Sequence, residues 1–351
     1  MTTQKRYRAP VLADVAREAQ VSVPTVSRVL NGTKYVAPEL AQRVHRAIET
    51  LGYRPNQAAR SVRSGRRTLV SVLSGATANY GYARTLQGIE TAARRAGMSV
   101  TITVVESDDD DDLKRAVDLA LAQPTAGAIV LEFDRAGIDA GHLLPEGLPV
   151  VVAGGGTRRT RNATAALIDE RTAARRATDY LLRLGHRTVH HVAGPTAGKH
   201  SGRTDGWRAA LTAAGAEVPT VMNAEWDAAS GYRWGERIAG RDDVTAVLCG
   251  NDEIAIGLMR ALSDRGLDVP GDISVVGFDD QPLVALWRPS LTTVDQDFED
   301  LGERAFSLLE RLMTDEEGDG AGTAGTTGQA ARTSVVVPQL VVRESTAPPS
   351  A

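Results

Sequence analysis

The chain has 351 residues, of which 42% are hydrophobic and 24% charged, a composition that is ordinary for a globular protein of two or three domains. It has no run of about 18 apolar residues, no apolar leader and only one cysteine, which excludes a membrane span, a secretory signal and an internal disulfide. We therefore expect a cytoplasmic protein without a membrane partner.

Charge is divided unevenly along the chain. Residues 1–67 contain 13 Lys and Arg against 4 Asp and Glu, a net charge of +9. The remaining residues contain 27 against 40, a net charge of −13. A basic end on an acidic body favours a protein that binds a polyanion such as DNA through that end.

Residues 12–31 predict two short helices joined by a tight turn, because apolar residues recur at helical spacing on both sides of that turn. Ser22 can cap the second helix, and Pro24 fits its first turn, where a missing N–H group costs nothing. Residues 38–51 predict a third helix that ends at Gly52. Three such helices form a helix-turn-helix headpiece. The alternative is a helical hairpin in another α-domain, which the basic charge disfavours.

The rest of the chain predicts an α/β core. Residues 57–63 are too few for a stable isolated helix, so we interpret 56–67 as a hinge. From Leu69 onward strands alternate with helices in two series, the second beginning at residues 166–170. This pattern predicts two doubly wound parallel-sheet subdomains, with the all-α headpiece at the N-terminus. Small ligands bind such folds at the carboxyl ends of the strands.

Four polar or aromatic side chains follow predicted strands of the second series. They are Arg203, Trp226, Asn251 and Asp279. Guanidinium, amide and carboxylate groups form paired hydrogen bonds to neighbouring hydroxyls, and an indole stacks on the C–H face of a sugar. The set therefore favours a carbohydrate ligand, although Asn251 could instead only cap the helix after it. We expect Trp207 in the core and Trp226 at a rim.

Catalytic and metal-binding patterns are not evident. Residues 320–325 match G-x-G-x-x-G, but no strand precedes them and no helix follows, as a dinucleotide site requires. His190 and His191 are adjacent on a predicted strand and point to opposite faces, so they cannot hold one metal together. We expect no enzyme activity, no cofactor and no metal.

Six segments together resemble bacterial transcription regulators of the lactose repressor (LacI) type, over nearly the whole chain. They are LADVAREAQVSVPTVSRVLN, YRPNQAARSV, GNDEIAIGLMRAL, VPGDISVVGFDD, PSLTTVDQDF and LVVRES. The resemblance implies a homodimer with a helix-turn-helix headpiece, a hinge helix and a core like that of a periplasmic sugar-binding protein. The chain ends without the Leu-heptad helix that forms tetramers in some members, so we expect a dimer.

The resemblance also implies the domain boundaries. The chain should cross between the two subdomains near Ile168, near Gln296 and around a Gly-rich loop. The expected parts are a headpiece at 1–55, a hinge helix and linker at 56–67, a core at 68–343, a flexible Gly-rich loop at 315–334 and a disordered tail at 344–351. Within the core, the N-subdomain should comprise about 68–167 and 297–315, and the C-subdomain about 168–296 and 333–343.

In the headpiece, the resemblance implies that Val23, Pro24 and Arg28 face DNA bases. Further residues of this helix should contact phosphates or brace the helix: Ser22, Thr25, Ser27 and Asn31. In the hinge, four residues should face the minor groove: Asn56, Ala59, Arg60 and Val62. The family usually has leucine at the last of these positions, as a wedge between bases, and valine reaches less far.

For an effector, the resemblance implies polar contacts from Arg203, Asn251 and Asp279 and stacking on Trp226. Gln296 and Phe298 are similar to residues of galactoside-responsive members. We expect Tyr80 and Tyr82 to close the other side of the pocket. Where the family often has an acidic residue after a strand, this chain has glycine at 154–156. A galactoside, a glucoside and a plant oligosaccharide all stay open.

The predicted function is a repressor of carbohydrate-utilisation genes that a sugar releases from a palindromic double-stranded operator. Whether the sugar acts as inducer or co-repressor stays open. One alternative is a sugar-binding transport receptor without a regulatory role, which would need a secretory leader and no basic headpiece. A sugar-modifying enzyme is the other.

Overall fold

The computed structural model describes residues 8, 10–32, 34–54, 67–155, 164–195, 201–319 and 332–350. The chain divides into two compact units, Met1–Arg67 and Thr68–Ala351. The predicted hinge residues lie outside the described residues: Asn56, Ala59, Arg60 and Val62. No helix within the described ranges is both long and apolar enough to cross a membrane.

The headpiece contains three helices, α1 Leu12–Glu18, α2 Val23–Asn31 and α3 Pro38–Leu51. Ser22 caps α2, since its Oγ accepts a hydrogen bond from the backbone N of Thr25 at 3.3 Å. The turn after α1 has Gln20 in the left-handed region at φ 49°. There the backbone N of Val21 donates to Ala16 O at 3.0 Å, which closes α1.

Valine and alanine side chains form the core of the headpiece, around Val15, Val26 and Val44, all fully buried. The third helix ends at Gly52, whose φ of 60° favours glycine, as the sequence predicts. Burial of these apolar faces, rather than helix propensity, holds three short helices together.

The N-subdomain is built on one parallel sheet with strand order β11-β5-β4-β3-β1-β2. Its buried valine, leucine and isoleucine side chains pack against the helices on both faces. The strands are β1 Leu69–Ser74, β2 Ser99–Val104, β3 Gly127–Leu131, β4 Val150–Gly155, β5 Thr164–Ile168 and β11 Thr333–Val336. The helices are α4 Tyr80–Arg95, α5 Asp110–Ala120, α6 Arg135–Gly141 and α11 Phe298–Asp319.

The C-subdomain is built on a second parallel sheet, β7-β6-β8-β9, beside an antiparallel pair, β10 and β12. Its strands are β6 His190–Ala193, β7 Met222–Asn223, β8 Ala246–Cys249, β9 Ser274–Val276, β10 Thr293–Asp295 and β12 Gln339–Val341. Its helices are α7 Glu170–Arg183, α8 Gly202–Ala213, α9 Ala228–Ile238 and α10 Asp252–Asp264, with a 3-10 turn at Pro282–Ala285.

Two predicted assignments of strands are wrong. Residues 166–168 do not start the second series, because β5 pairs with β4 in the first sheet. Residues 333–336 do not belong to the C-subdomain, because β11 pairs in parallel with β5. The third crossing therefore lies at residues 337–338, between β11 and β12, and not around the Gly-rich loop. Within the predicted loop at 315–334, α11 continues to Asp319 and β11 begins at Thr333.

The predicted disordered tail is packed against the C-subdomain as far as residue 350. Ser345 is fully buried, and its Oγ donates to Val275 O at 2.6 Å and accepts from Thr292 N at 2.8 Å. His186 Nε2 lies 3.0 Å from Ala347 O. Hydrogen bonds rather than apolar burial hold this Pro- and Ser-rich segment, which composition alone does not reveal.

Glycines allow several helix pairs to cross at close range. On α9 and α10, a Cβ added at Gly231 would overlap Ile254 O, and one added at Gly257 would overlap Ala228 O. A Cβ at Gly206 on α8 would likewise overlap Arg171 O of α7. These glycines therefore set the short distance between α9 and α10 and between α7 and α8.

Candidate functional site

The second helix of the headpiece presents an outward face of short side chains. Val15 and Val26 fill the core below it, whereas the side chain of Val23 is 43% exposed. The predicted DNA-contacting residues are exposed or half-buried on this helix or at its cap: Ser22, Val23, Pro24, Thr25, Ser27, Arg28 and Asn31. A face of this kind can enter a DNA major groove.

Some of these polar groups brace the helix. Ser22 Oγ and Thr25 Oγ1 share a hydrogen bond at 2.8 Å. Asn31 Nδ2 donates to Ser27 O at 2.7 Å and to Ser27 Oγ at 3.1 Å. Arg28 is exposed on the same helix, and its guanidinium is a group that can pair with a base edge.

A cleft in the core gathers the carboxyl ends of strands from both subdomain sheets. Its volume is about 1100 Å³ with its open mouth included. One wall comes from the N-subdomain, with residues 79–82 after β1, Glu132 and Phe133 after β3, and Gly155 at the end of β4. The opposite wall follows the strands of the C-subdomain: Pro195 after β6, Trp226 after β7, Asn251 after β8 and Asp279 after β9. Parallel strands place their ligands at this edge.

The cleft brings together most of the predicted effector residues. Those that line it are Tyr80, Tyr82, Arg203, Trp226, Asn251, Asp279 and Phe298. Gln296 does not line it, which corrects its predicted role as a direct contact. The side chain of Gln296 is fully buried, and its Nε2 donates to Asp279 Oδ1 at 2.6 Å. Gln296 therefore positions Asp279 from behind.

Arg203 is the centre of the polar wall. Its Nε and Nη2 donate to Glu170 Oε1 at 3.0 and 2.8 Å, and its Nη1 donates to Gly250 O. Its Cζ lies 5.2 Å from the centre of the Trp226 ring and 4.8 Å from that of Phe278. Two aromatic faces and a carboxylate thus hold one guanidinium in place.

Asp279 lies behind this guanidinium and is 8% exposed. Burial raises the pKa of the Asp279 carboxyl group to about 7, while Arg203, with Nη2 4.0 Å from Oδ1, and the Gln296 hydrogen bond oppose that rise. Burial also raises the pKa of Asp252, whose oxygens accept from Thr293 Oγ1 and the Gln281 backbone N. The cleft therefore has a carboxyl group beside it that can bind or lose a proton near neutral pH.

Asn251 caps a helix and also lines the cleft. Its Oδ1 accepts from Ile254 N at 2.8 Å and caps α10, and the same side chain lines the cleft. The cap uses the amide oxygen, and the amide nitrogen can donate to a ligand.

Trp226 lies over glycine backbone at the floor of the C-subdomain wall. A Cβ added at Gly194 would overlap its ring, and one at Gly250 would lie 3.2 Å from it. Trp207 is fully buried and its Nε1 donates to Val189 O at 2.7 Å. Trp207 is therefore in the core, as expected, whereas Trp226 is half-buried in the cleft wall and not at an exposed rim.

An aromatic cluster forms the N-subdomain wall. The ring of Phe298 is edge-on to Tyr80 at 6.2 Å and to Phe133 at 6.0 Å, measured between ring centroids. Tyr82 packs edge-on against Phe133 at 4.9 Å, and its hydroxyl donates to Asp134 Oδ2 at 2.5 Å. Because Asp134 holds that hydroxyl, Tyr82 offers the cleft its ring.

Sequence reasoning missed much of the N-subdomain wall and several polar groups. The missed lining residues are Asn79, Gly81, Glu132, Phe133, Ile138, Gly155, Glu170, Pro195, Ser201, Gly202, Glu253 and Gln281. A signal for some of them was present, because Glu132 and Gly155 lie at strand ends as Asn251 and Asp279 do.

The arrangement can bind a neutral polyhydroxyl compound. Carboxylate, amide and guanidinium groups face an aromatic wall, which suits hydroxyls on one side of a sugar ring and C–H groups on the other. Among the described residues no cluster of three or more His, Cys, Asp or Glu could hold a metal ion.

Asp279→Asn is expected to change how stability depends on pH. In the folded chain the pKa of Asp279 is about 7, against an ordinary value of 3.8, so between these values the folded state binds a proton that the unfolded state does not. This carboxyl group therefore makes the free energy of unfolding fall as pH rises. The variant lacks that fall, and urea unfolding should show its stability relative to the parent increasing between about pH 4 and pH 7. A difference that stays constant with pH would contradict the assignment.

Comparisons with known proteins identify the family of both parts of the chain. A family model described as bacterial regulatory proteins, lacI family, matches residues 11–56, and one described as a periplasmic binding protein-like domain matches residues 178–346. Catabolite control protein A of Priestia megaterium is 33% identical over 87% of this chain and 93% of its own length. A lac repressor dimer bound to operator and an anti-inducer has a TM-score of 0.83 at 28% identity, covering 97% of this chain and 100% of its own. A transcriptional regulator CelR–cellobiose complex has a TM-score of 0.67 at 30% identity, covering 96% and 99%.

Proposed function

Because the chain belongs to the lacI family of bacterial regulatory proteins, we propose that it is a transcriptional repressor that binds a palindromic operator as a homodimer and responds to a sugar in its core cleft. The proposal rests on the presence of a DNA-binding headpiece and a ligand-binding cleft in the same chain. The helix-turn-helix exposes α2, and the core holds a cleft lined by Arg203, Asn251 and Asp279 beside an aromatic wall. The protein acts on DNA in the cytoplasm. A transport receptor would not need a DNA-binding headpiece, so the headpiece argues against that alternative.

Sugar binding is proposed to shift the population of the protein from the DNA-binding conformation to one with a closed cleft. The chain crosses between the subdomains near Ile168, near Gln296 and at residues 337–338, so cleft closure changes the angle between the two subdomains. In a dimer that change alters the spacing of the two headpieces. A difference of about 2–3 kcal/mol in sugar affinity between the two states is enough for a large regulatory ratio.

The effector is proposed to be a neutral sugar larger than a single ring. The wall of the cleft offers both stacking rings and hydroxyl-binding groups. A solved complex of a similar regulator holds cellobiose, and the lac repressor binds an operator and an anti-inducer. Beta-linked disaccharides such as cellobiose and lactose are therefore the first candidates.

The test is an operator gel shift at fixed salt. Palindromes upstream of the gene supply the DNA, and cellobiose, lactose and other neutral sugars are added one at a time. We expect specific binding to one palindrome, and its release by one sugar at millimolar concentration or below. If the protein binds the palindrome no better than scrambled DNA, the repressor assignment is wrong. If no sugar changes the complex, the effector class is wrong.

Arg28→Ala is expected to weaken operator binding by about 1–2 kcal/mol and to reduce discrimination against a changed base pair, because the guanidinium can pair with guanine O6 and N7. Arg17→Ala is the matched control. It removes the same charge from α1, where Arg17 pairs with Asp14 at 3.1 Å. Titration of operator and scrambled duplex at one salt concentration measures both effects. Equal losses on the two duplexes would assign Arg28 to phosphate contact instead.

A further inference from the structure

Glu170 reaches the cleft from the start of α7, just after the first crossing between the subdomains. Its side chain is 15% exposed and lies against Gly155 at the end of β4. A Cβ added at Gly155 would lie 2.7 Å from Glu170 Cδ and Oε2. A Cβ added at Gly202 would lie 3.0 Å from Glu170 Cβ. The carboxylate of Glu170 thus occupies the space that a side chain at position 155 would fill.

The two oxygens of this carboxylate have different surroundings. Oε1 accepts from Nε and Nη2 of Arg203 at 3.0 and 2.8 Å. Oε2 lies between the two glycines, 2.7 Å from the place of a Cβ at Gly155 and 3.2 Å from that of one at Gly202. Glu170 is one of the residues that line the cleft, so a ligand bound there can reach its carboxylate.

Arg203 has donors left for a ligand. A guanidinium carries five N–H groups, and the contacts to Glu170 and Gly250 O use Nε, one on Nη2 and one on Nη1. The side chain of Arg203 is 12% exposed and lines the cleft. Its remaining N–H groups can donate to one hydroxyl oxygen while Glu170 Oε2 accepts from the next hydroxyl.

We propose that Glu170 is a sugar-contacting, specificity-determining residue that reads a pair of adjacent hydroxyls together with Arg203. The inference rests on the proposed function of the cleft and names a contact of that same site. Because an ionised carboxylate only accepts hydrogen bonds, the hydroxyl at Oε2 must donate. Glu170 therefore selects a sugar with a donating hydroxyl at one ring position and rejects a substituent that cannot donate.

Monodeoxyfluoro sugars test this directly, since fluorine replaces a hydroxyl in size but cannot donate a hydrogen bond. The probes are cellobiose, lactose and their monodeoxyfluoro derivatives, titrated calorimetrically into the full chain. In the parent protein we expect one ring position at which fluorine lowers affinity tenfold or more. In Glu170→Gln the amide nitrogen can donate to fluorine, so this penalty should fall to threefold or less, while affinity for the unmodified sugar falls tenfold or more.

Glu303→Gln is the matched control, because it makes the same chemical change in an ion pair with Arg95 (3.1 Å) outside the residues that line the cleft. Its fluorine profile should match that of the parent protein. Thermal unfolding checks that both variants fold. If Glu170→Gln keeps the parent's fluorine profile, or binds the unmodified sugar within threefold of it, the proposal is overturned. If the parent protein binds none of the sugars, the proposed effector class is wrong and this inference is wrong with it. The titration of the parent protein distinguishes that outcome from a failure of the Glu170 proposal alone.

The shared space of positions 155 and 170 offers a second test. Gly155→Ala should lower sugar affinity by displacing the Glu170 carboxylate. In Glu170→Asp the carboxylate is withdrawn by one methylene, which relieves that overlap. The double variant is therefore expected to lose less affinity than the product of the two single losses. Independent effects at the two positions would contradict the placement of Glu170 at the cleft.

Discussion

Arg203→Met is expected to weaken sugar binding by at least about 100-fold, close to 3 kcal/mol, because the guanidinium donates charged hydrogen bonds from the centre of the polar wall. In the parent it is held by Glu170 at 2.8 Å and stacks over Trp226 at 5.2 Å. Methionine keeps a similar length and apolar stem but has no donor. The operator gel shift should then show no release by sugar at concentrations that fully release the parent.

The same substitution should also lower stability. Removing one partner of a buried ion pair leaves the other charge uncompensated, which costs about 3 kcal/mol or more. Here the carboxylate left behind is Glu170, 15% exposed. Urea unfolding measures that loss separately from the loss of sugar response.

Arg208→Met is the control for Arg203→Met. Arg208 lies on the same helix, 51% exposed, and pairs with Asp205 at 3.6 Å. A surface pair of this kind contributes little, so sugar response and stability should both stay within about 1 kcal/mol of the parent. Equal behaviour of the two variants would show that Arg203 is not part of the effector site.

Gly257→Ala is expected to destabilise the core by about 2–3 kcal/mol, although alanine favours a helix more than glycine does. A Cβ at position 257 would overlap Ala228 O, lie 2.7 Å from the carbonyl carbon of Ala228 and lie 2.9 Å from the Tyr232 backbone N. The obstacle is backbone on α9, which cannot rotate away as a side chain can. The helices must therefore separate, and their interface loses contact along its length.

Gly240→Ala is the control for Gly257→Ala, because it replaces a glycine by alanine at a position where the added Cβ meets no close neighbour. Its Cβ would have only Arg237 O as a neighbour within reach, at 4.0 Å. We expect a change of less than about 0.5 kcal/mol at this position. Urea unfolding and amide exchange in α9 and α10 measure both variants. Similar stability of the two would mean that the close approach at Gly257 is relaxed at little cost.

Local signals explain why the headpiece could be predicted from sequence. The cap at Ser22, the proline in the first turn of α2 and the glycine after α3 each act within a few residues. Apolar spacing then identified the buried face that contains Val15 and Val26. Such signals do not depend on which distant segment pairs with which.

Strand pairing is the part that sequence could not supply. The segment 333–341 reads as one apolar stretch, and yet β11 joins the first sheet and β12 pairs with β10 in the second subdomain. Both neighbours are far away in sequence, and alternation of side chains is the same in either sheet. Ser345 gave no apolar signal either, because hydrogen bonds hold the end of the chain.

The candidate site was predicted in part for a related reason. Asn251 and Asp279 follow strands, so a local rule found them. Glu170 follows a strand that belongs to the other sheet, and its meeting with Arg203 depends on how the chain crosses between subdomains. Gln296 was expected in the cleft because the family resemblance matches residues by their position along the chain. In the structure its side chain is buried behind Asp279, so it contacts Asp279 and not the cleft.

The crossing at residues 337–338 has a consequence for the order in which the protein is made. The three helices of the headpiece all lie before residue 55, so the headpiece can fold while the ribosome is still synthesising the core. The N-subdomain sheet lacks its edge strand β11, and the C-subdomain lacks β12 and the buried Ser345, until the end of translation. A nascent chain arrested before residue 333 should therefore carry a protease-resistant headpiece and a protease-sensitive core. The headpiece of each new molecule is therefore expected to fold before the core that regulates it.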